Sequence, residues 1–78
     1  MPMPEMKTVQ SSKVFQLGYD EAAKALYVRF TPSKKHPAGR VAVYHGVPPE
    51  TADAFANAPS IGQAFDISIK DIFPFSYL

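Results

Sequence analysis

The chain has 78 residues and no cysteine. Disulfides, thiolate zinc sites, iron–sulfur clusters and cysteine nucleophiles are therefore excluded. A charge excess of one sign is also missing. Eight basic residues against seven acidic ones leave a formal charge of +1, too near neutrality for a protein that coats polyanions. No apolar run approaches the ~20 residues that a membrane-spanning helix needs. The opening residues lack the basic start and long apolar core of a signal peptide. The chain therefore reads as a cytoplasmic protein with no membrane partner. Its hydrophobic content is 46 %, with six Phe and four Tyr, too apolar for full disorder. Its length fits one small domain.

Periodicity sketches the elements. Residues 1–8, with three Met and two Pro and no period, read as a flexible leader; residues 9–78 read as the folded domain. Phe15, Leu17 and Tyr19 alternate as in a half-buried strand. Residues 20–24 read as a turn, because Asp20 can bond its own backbone; a helix capped by Asp20 is the alternative. Leu26, Val28 and Phe30 then face one side of a second strand, with Tyr27 and Arg29 on the other. Residues 31–39 hold two prolines and a glycine and form a loop. A third strand over residues 40–45 has Val41, Val43 and His45 on one face and Arg40, Ala42 and Tyr44 on the other.

Pro48 and Pro49 open a helix, since proline suits a first turn whose N–H groups are unpaired. Ala52, Phe55 and Ala56 form its apolar face. Residues 57–59 stop it. Ser60 and Gln63 then make a capping-box pattern for a second helix, which ends near Ile67 and turns Ile61, Ala64 and Phe65 inward. Residues 69–78 are too apolar to stay in water, and the alternating Phe73, Phe75 and Tyr77 read as core. Strands followed by helices give an α+β fold: a three-stranded antiparallel sheet, two short helices and a docked C-terminal tail.

Charge is distributed unevenly. Residues 1–45 carry seven basic and three acidic residues, a balance of +4; residues 46–78 carry one basic and four acidic, a balance of −3. Lys and Arg beside a phosphate backbone release counterions and so drive nucleic-acid binding. Tyr27 and Arg29 share a strand face and suit a stacked base and its phosphate. Lys34, Lys35 and Arg40 sit at the end of the same hairpin. The same features also describe an ordinary solvated loop. A basic half and an acidic half equally suit self-association or docking of a protein partner, and exposed sheet edges could add a strand. Catalysis has weak support. His36 and His45 are the only general bases near neutral pH, His36 lies in an exposed loop, and Asp66 and Asp71 have no defined spacing. No HxH, ExxH or paired-acid metal motif and no phosphate-cradling glycine loop occur, so no cofactor is expected.

These residues carry a family resemblance. Val9-Gln10-Ser11-Ser12, Leu17-Gly18-Tyr19-Asp20 and Leu26-Tyr27-Val28-Arg29-Phe30 resemble the front of a KTSC domain. Val43-Tyr44-His45-Gly46-Val47-Pro48 is similar to its strand ending in Val-Pro. Ala58, Ser60-Ile61-Gly62, Phe65, Ile69-Lys70 and Phe73-Pro74-Phe75 match its back half. The match runs from Val9 to Leu78. The resemblance implies a small domain found at the C-terminus of some lysyl-tRNA synthetases and as stand-alone proteins of bacteria and phages. RNA binding is suggested by that setting, and no catalytic residues are assigned. The chain departs from the family where a Tyr-x-Tyr is usual, holding Ala42 before Tyr44, and its 31–39 loop is longer. Together, these readings point to a non-catalytic module that binds RNA or single-stranded nucleic acid. Arg29, Lys34, Lys35 and Arg40 would contact phosphate, and Tyr27 and Tyr44 would stack bases. Deleting residues 73–78 is expected to abolish cooperative thermal unfolding, measured by circular dichroism.

Overall fold

The computed structural model describes residues 4–78. The elements run β1 (Lys7–Thr8), β2 (Val14–Asp20), β3 (Ala25–Phe30), β4 (Val41–His45), α1 (Pro49–Ala56), α2 (Ile61–Ser68) and β5 (Phe75–Tyr77). The α+β class stands, but the sheet has five strands rather than three, in the order β1-β2-β3-β4-β5. All neighbouring pairs are antiparallel. Both extra strands are short edges. Lys7 and Thr8, at the end of the segment read as a leader, pair with Leu17 and Gln16. Residues 1–3, where that leader begins, lie outside the described residues. The docked tail is β5, paired with β4.

The expected alternation of Phe15, Leu17 and Tyr19 fails at its first member. Val14 pairs with Phe30 and Gln16 with Arg29, so Phe15 is the extra residue of a β-bulge. A bulge sets two residues of one strand against one of the other and switches the face of what precedes it. Val14 is fully buried in consequence and Phe15 is exposed. The turn after β2 forms as read: the Asp20 carboxylate accepts from the Ala23 N–H at 3.2 Å, and no helix starts there.

Both helices start as their sequences dictate. Pro48 is the N-cap of α1 and Pro49 its first residue. The Ser60 hydroxyl accepts from the Gln63 N–H and caps α2. The helices cover one face of the sheet. Leu26, Val28, Ala42 and Tyr44 from the strands meet Ala52, Phe55, Ile61, Phe65 and Ile69 there. Phe65 is the hub. Its ring meets Phe30 and Tyr44 edge-on, at 5.5 and 5.6 Å between centroids, and lies 6.4 Å from Phe55. Beside it the Lys13 ammonium holds the Asp66 carboxylate at 2.7 and 2.8 Å, clasping the residue before β2 to α2.

Phe65→Ala should cost about 3–5 kcal/mol, the usual loss for emptying an aromatic core site, out of a total of roughly 5–15 kcal/mol. Phe15→Ala should stay within about 0.5 kcal/mol, as for an exposed position. Urea denaturation of both variants checks the hub and the bulge together; equal losses would contradict the bulge.

Candidate functional site

The strand register sorts the expected binding residues onto two faces. Tyr44 lies opposite Leu26, and Tyr27 opposite Val43. Tyr44 therefore points to the helix side and Tyr27 to the outer side, so they do not form one stacking platform. Tyr44 is 3 % exposed and stacks on Phe75 at 5.2 Å. Its expected role as an open base-stacking surface is corrected to that of a buried wall. The physical reason is that helix-side burial wins when strand β4 is apolar on both faces.

Arg29 is also committed locally. Its Nη1 donates to the Ala38 carbonyl at 3.0 Å, and its Nε is buried without a partner among the described residues. Gly39 lets the loop close over it. Its φ is +85°, and a Cβ there would lie 2.5 Å from the Phe30 carbonyl oxygen and 3.0 Å from Arg29 Cγ. Arg29 thus ties the 31–39 loop down with one of its five N–H donors. Lys34 and Lys35 are exposed on that loop. Part of the outer face is covered as well. A Cβ on Gly18 would meet the Glu5 carbonyl and the Met6 sulfur, both at 2.8 Å, so the 4–6 segment crosses the sheet there. Tyr27 remains half-buried.

Arg40 is on the other side. Its guanidinium lies 3.6 Å from the centroid of the Tyr77 ring, a cation–π stack. Tyr77 meets Phe75 edge-on at 5.2 Å. The tail aromatics read as core are thus only partly so: Phe73 packs against the core, whereas Phe75 and Tyr77 are about half exposed, at 46 % and 48 %. They wall an open groove of about 480 Å³ together with Phe30, Tyr44 and Phe65, and Lys13, Lys70 and Asp71 reach its rim. The Tyr44 hydroxyl has no hydrogen-bond partner among the described residues. Its pKa is pushed up to about 12, first by burial and then by Tyr77 and Asp71.

The groove was legible only in pieces. The aromatic alternation of the tail was visible, but its meeting with Arg40 and Tyr44 depends on the pairing of β5 with β4. Neither histidine enters the groove: His36 lies in the loop, and His45 Nε2 is 3.2 Å from the Ser76 hydroxyl oxygen. Among the described residues no group of three or more His, Asp or Glu could hold a metal ion, and no helix is long and apolar enough to cross a membrane.

Comparison with known proteins bears on the whole domain. A family model described as the KTSC domain matches residues 10–73. The crystal structure of the KTSC domain protein YPO2434 from Yersinia pestis is similar at 30 % identity and a TM-score of 0.83, covering 95 % of this chain and 96 % of that one. No curated protein matches the chain.

The Tyr44 environment has a measurable consequence. A raised folded pKa means that the native state keeps a proton the unfolded state loses. Its stabilising effect is complete below about pH 10, the ordinary tyrosine value, and is lost as pH rises toward about 12. Ultraviolet titration of phenolate should show a late-ionising tyrosine that Tyr44→Phe removes, and that variant should lose less stability between pH 10 and 12.

Proposed function

The chain belongs to the KTSC domain family, and within it we propose a non-catalytic binding module for RNA or single-stranded nucleic acid. The observation that supports this reading is the groove beside β5. It combines half-exposed aromatic rings, cations on its rim, and the Tyr44 hydroxyl, which has no hydrogen-bond partner among the described residues. Single strands are held by stacking bases on aromatic side chains while cations track the phosphates. Phe75 and Tyr77 would stack bases, and the Tyr44 hydroxyl would donate to a base edge. Arg40, Lys70 and the loop residues Lys34 and Lys35 would contact phosphate. Lys13 serves less, since Asp66 already neutralises it.

The interface moves from Tyr27 and Arg29 to the groove, because both stand on the opposite face of the sheet. The acidic residues concentrated after Gly46 would repel phosphate and help confine a strand to the basic hairpin end.

Fluorescence anisotropy with labelled single-stranded RNA tests the proposal. Affinity should fall steeply between low and near-physiological salt. Tyr77→Ala should cost about 1–3 kcal/mol, the usual value of one stacked base. The triple variant Lys34→Ala, Lys35→Ala, Arg40→Ala should weaken binding and flatten the salt dependence, whereas Tyr27→Ala should leave both unchanged. No binding at low salt, or a loss confined to Tyr27→Ala, would refute the groove.

A further inference from the structure

Strand β5 ends the sheet, and its free side carries an ordered set of backbone groups. The His45 N–H donates to the Pro74 carbonyl, and the Leu78 N–H donates to the Val41 carbonyl. Residues 74, 76 and 78 therefore turn their backbone polar groups toward β4. In an antiparallel ladder the alternate residues turn theirs away. Phe75 and Tyr77 thus present two N–H and two C=O groups outward, with no strand beyond them among the described residues.

Sheet edges are normally blunted by charge, proline, bulges or extreme shortness. Both edges of this sheet are short, β1 with two residues and β5 with three, but they differ in chemistry. β1 is the two polar residues Lys7 and Thr8, next to a bulged strand. β5 is Phe-Ser-Tyr, with no charge, proline or bulge within it. Leu78 follows it and is 69 % exposed.

We propose that β5 pairs antiparallel with β5 of a second copy of this chain. The partner is argued from the strand's own symmetry. A two-fold axis through Ser76 sets Phe75 opposite Tyr77 of the partner, and Tyr77 opposite Phe75 of the partner. Those are the residues whose backbone groups face outward, so each opposed pair exchanges two hydrogen bonds and the free donors and acceptors are matched. Ser76 faces its own equivalent across the axis as the close, non-hydrogen-bonded pair. Because the axis is perpendicular to the sheet, the helices of both copies fall on one side. The two aromatic grooves then meet there, with Phe–Tyr pairs across the new ladder, a pairing that stabilises sheets. Charge agrees with this arrangement. Arg40 lies at the Tyr77 end of the groove, Asp71 is on its rim near Tyr44, and Tyr44 pairs with Phe75. Opposing Phe75 to Tyr77 brings the Asp71 end of one copy toward the Arg40 end of the other.

Ser76 lies on the outer face, away from the groove, so its variants test the pairing without removing a groove side chain. Sedimentation of the nucleic-acid-free protein should show a concentration-dependent dimer of twice the 8.6 kDa chain mass. Ser76→Lys alone and Ser76→Glu alone should each sediment as monomers, because like charges oppose across the axis. An equimolar mixture of the two should recover the dimer, which a merely unfolded variant would not do. The natural absence of cysteine adds a second readout. Residues in a non-hydrogen-bonded pair have Cα atoms about 4.5 Å apart, within disulfide range of about 4.4–6.8 Å. Oxidised Ser76→Cys should become a covalent dimer much faster than Thr8→Cys on the other edge. A wild-type monomer at every accessible concentration, a Ser76→Lys variant that still dimerises, or equal crosslinking of the two cysteine variants would overturn the proposal. RNA binding by a protein that stays monomeric would leave the groove standing and remove only the pairing.

Discussion

The packing of the Phe65 ring against the sheet is the contact on which the rest of this small fold depends. The ring reaches β3 through Phe30, β4 through Tyr44 and α1 through Phe55. One side chain thus joins three elements that precede it in the chain. Aromatic pairs contribute about 0.5–1.5 kcal/mol beyond their buried area, and in a domain this size such increments are a large share of net stability. The position of Phe65 follows from a local device. Ser60 caps α2 and sets its phase, so Ile61 and Phe65 fall on the buried side. The Lys13–Asp66 pair then fastens the same turn of helix to the start of β2.

That packing also decides where a ligand could bind. The helices α1 and α2, eight residues each, pack on side chains of β2, β3 and β4. The aromatic side chains of β5 remain half exposed at this margin. Arg40 stacks on one of them, and Tyr44 stacks beneath on Phe75. The outer face has the opposite character. The 4–6 segment crosses at Gly18, and the 31–39 loop closes over Arg29 at Gly39. Arg29 holds backbone in place there through the Ala38 carbonyl, and the His45 ring lies beside the Ser76 hydroxyl.

Much of the architecture could be read from residue patterns because it is set locally. Pro48, Pro49 and Ser60 act within one helical turn, Asp20 within one β-turn, and Leu26 and Val28 through the simple period of a strand. Three features could not be read that way. The bulge at Phe15 interrupts a pattern that is unbroken in sequence, since Phe15, Leu17 and Tyr19 alternate perfectly. Lys7 and Thr8 are polar and too few to show a period, so only pairing with Leu17 and Gln16 makes them a strand. β5 follows two helices and a proline, and becomes a strand because the edge of β4 is there to receive it.

The candidate site divides along the same line. The sequence by itself determined the chemistry available: no thiols, a basic first part, an acidic second part and an aromatic tail. It also determined the membership in a family of small α+β domains through the order of short, local motifs. Which of those residues meet was decided only by the tertiary structure. Strand β4 is apolar on both faces, so its sequence does not say which side holds Tyr44; pairing with Leu26 turns it inward. Arg29 and Arg40 look alike in sequence, yet one donates to a loop carbonyl on the outer face and the other lies over an exposed ring on the helix side. The reason is physical: composition and period are properties of neighbours in the chain, whereas strand register and face are fixed by hydrogen bonds and packing between residues far apart in it.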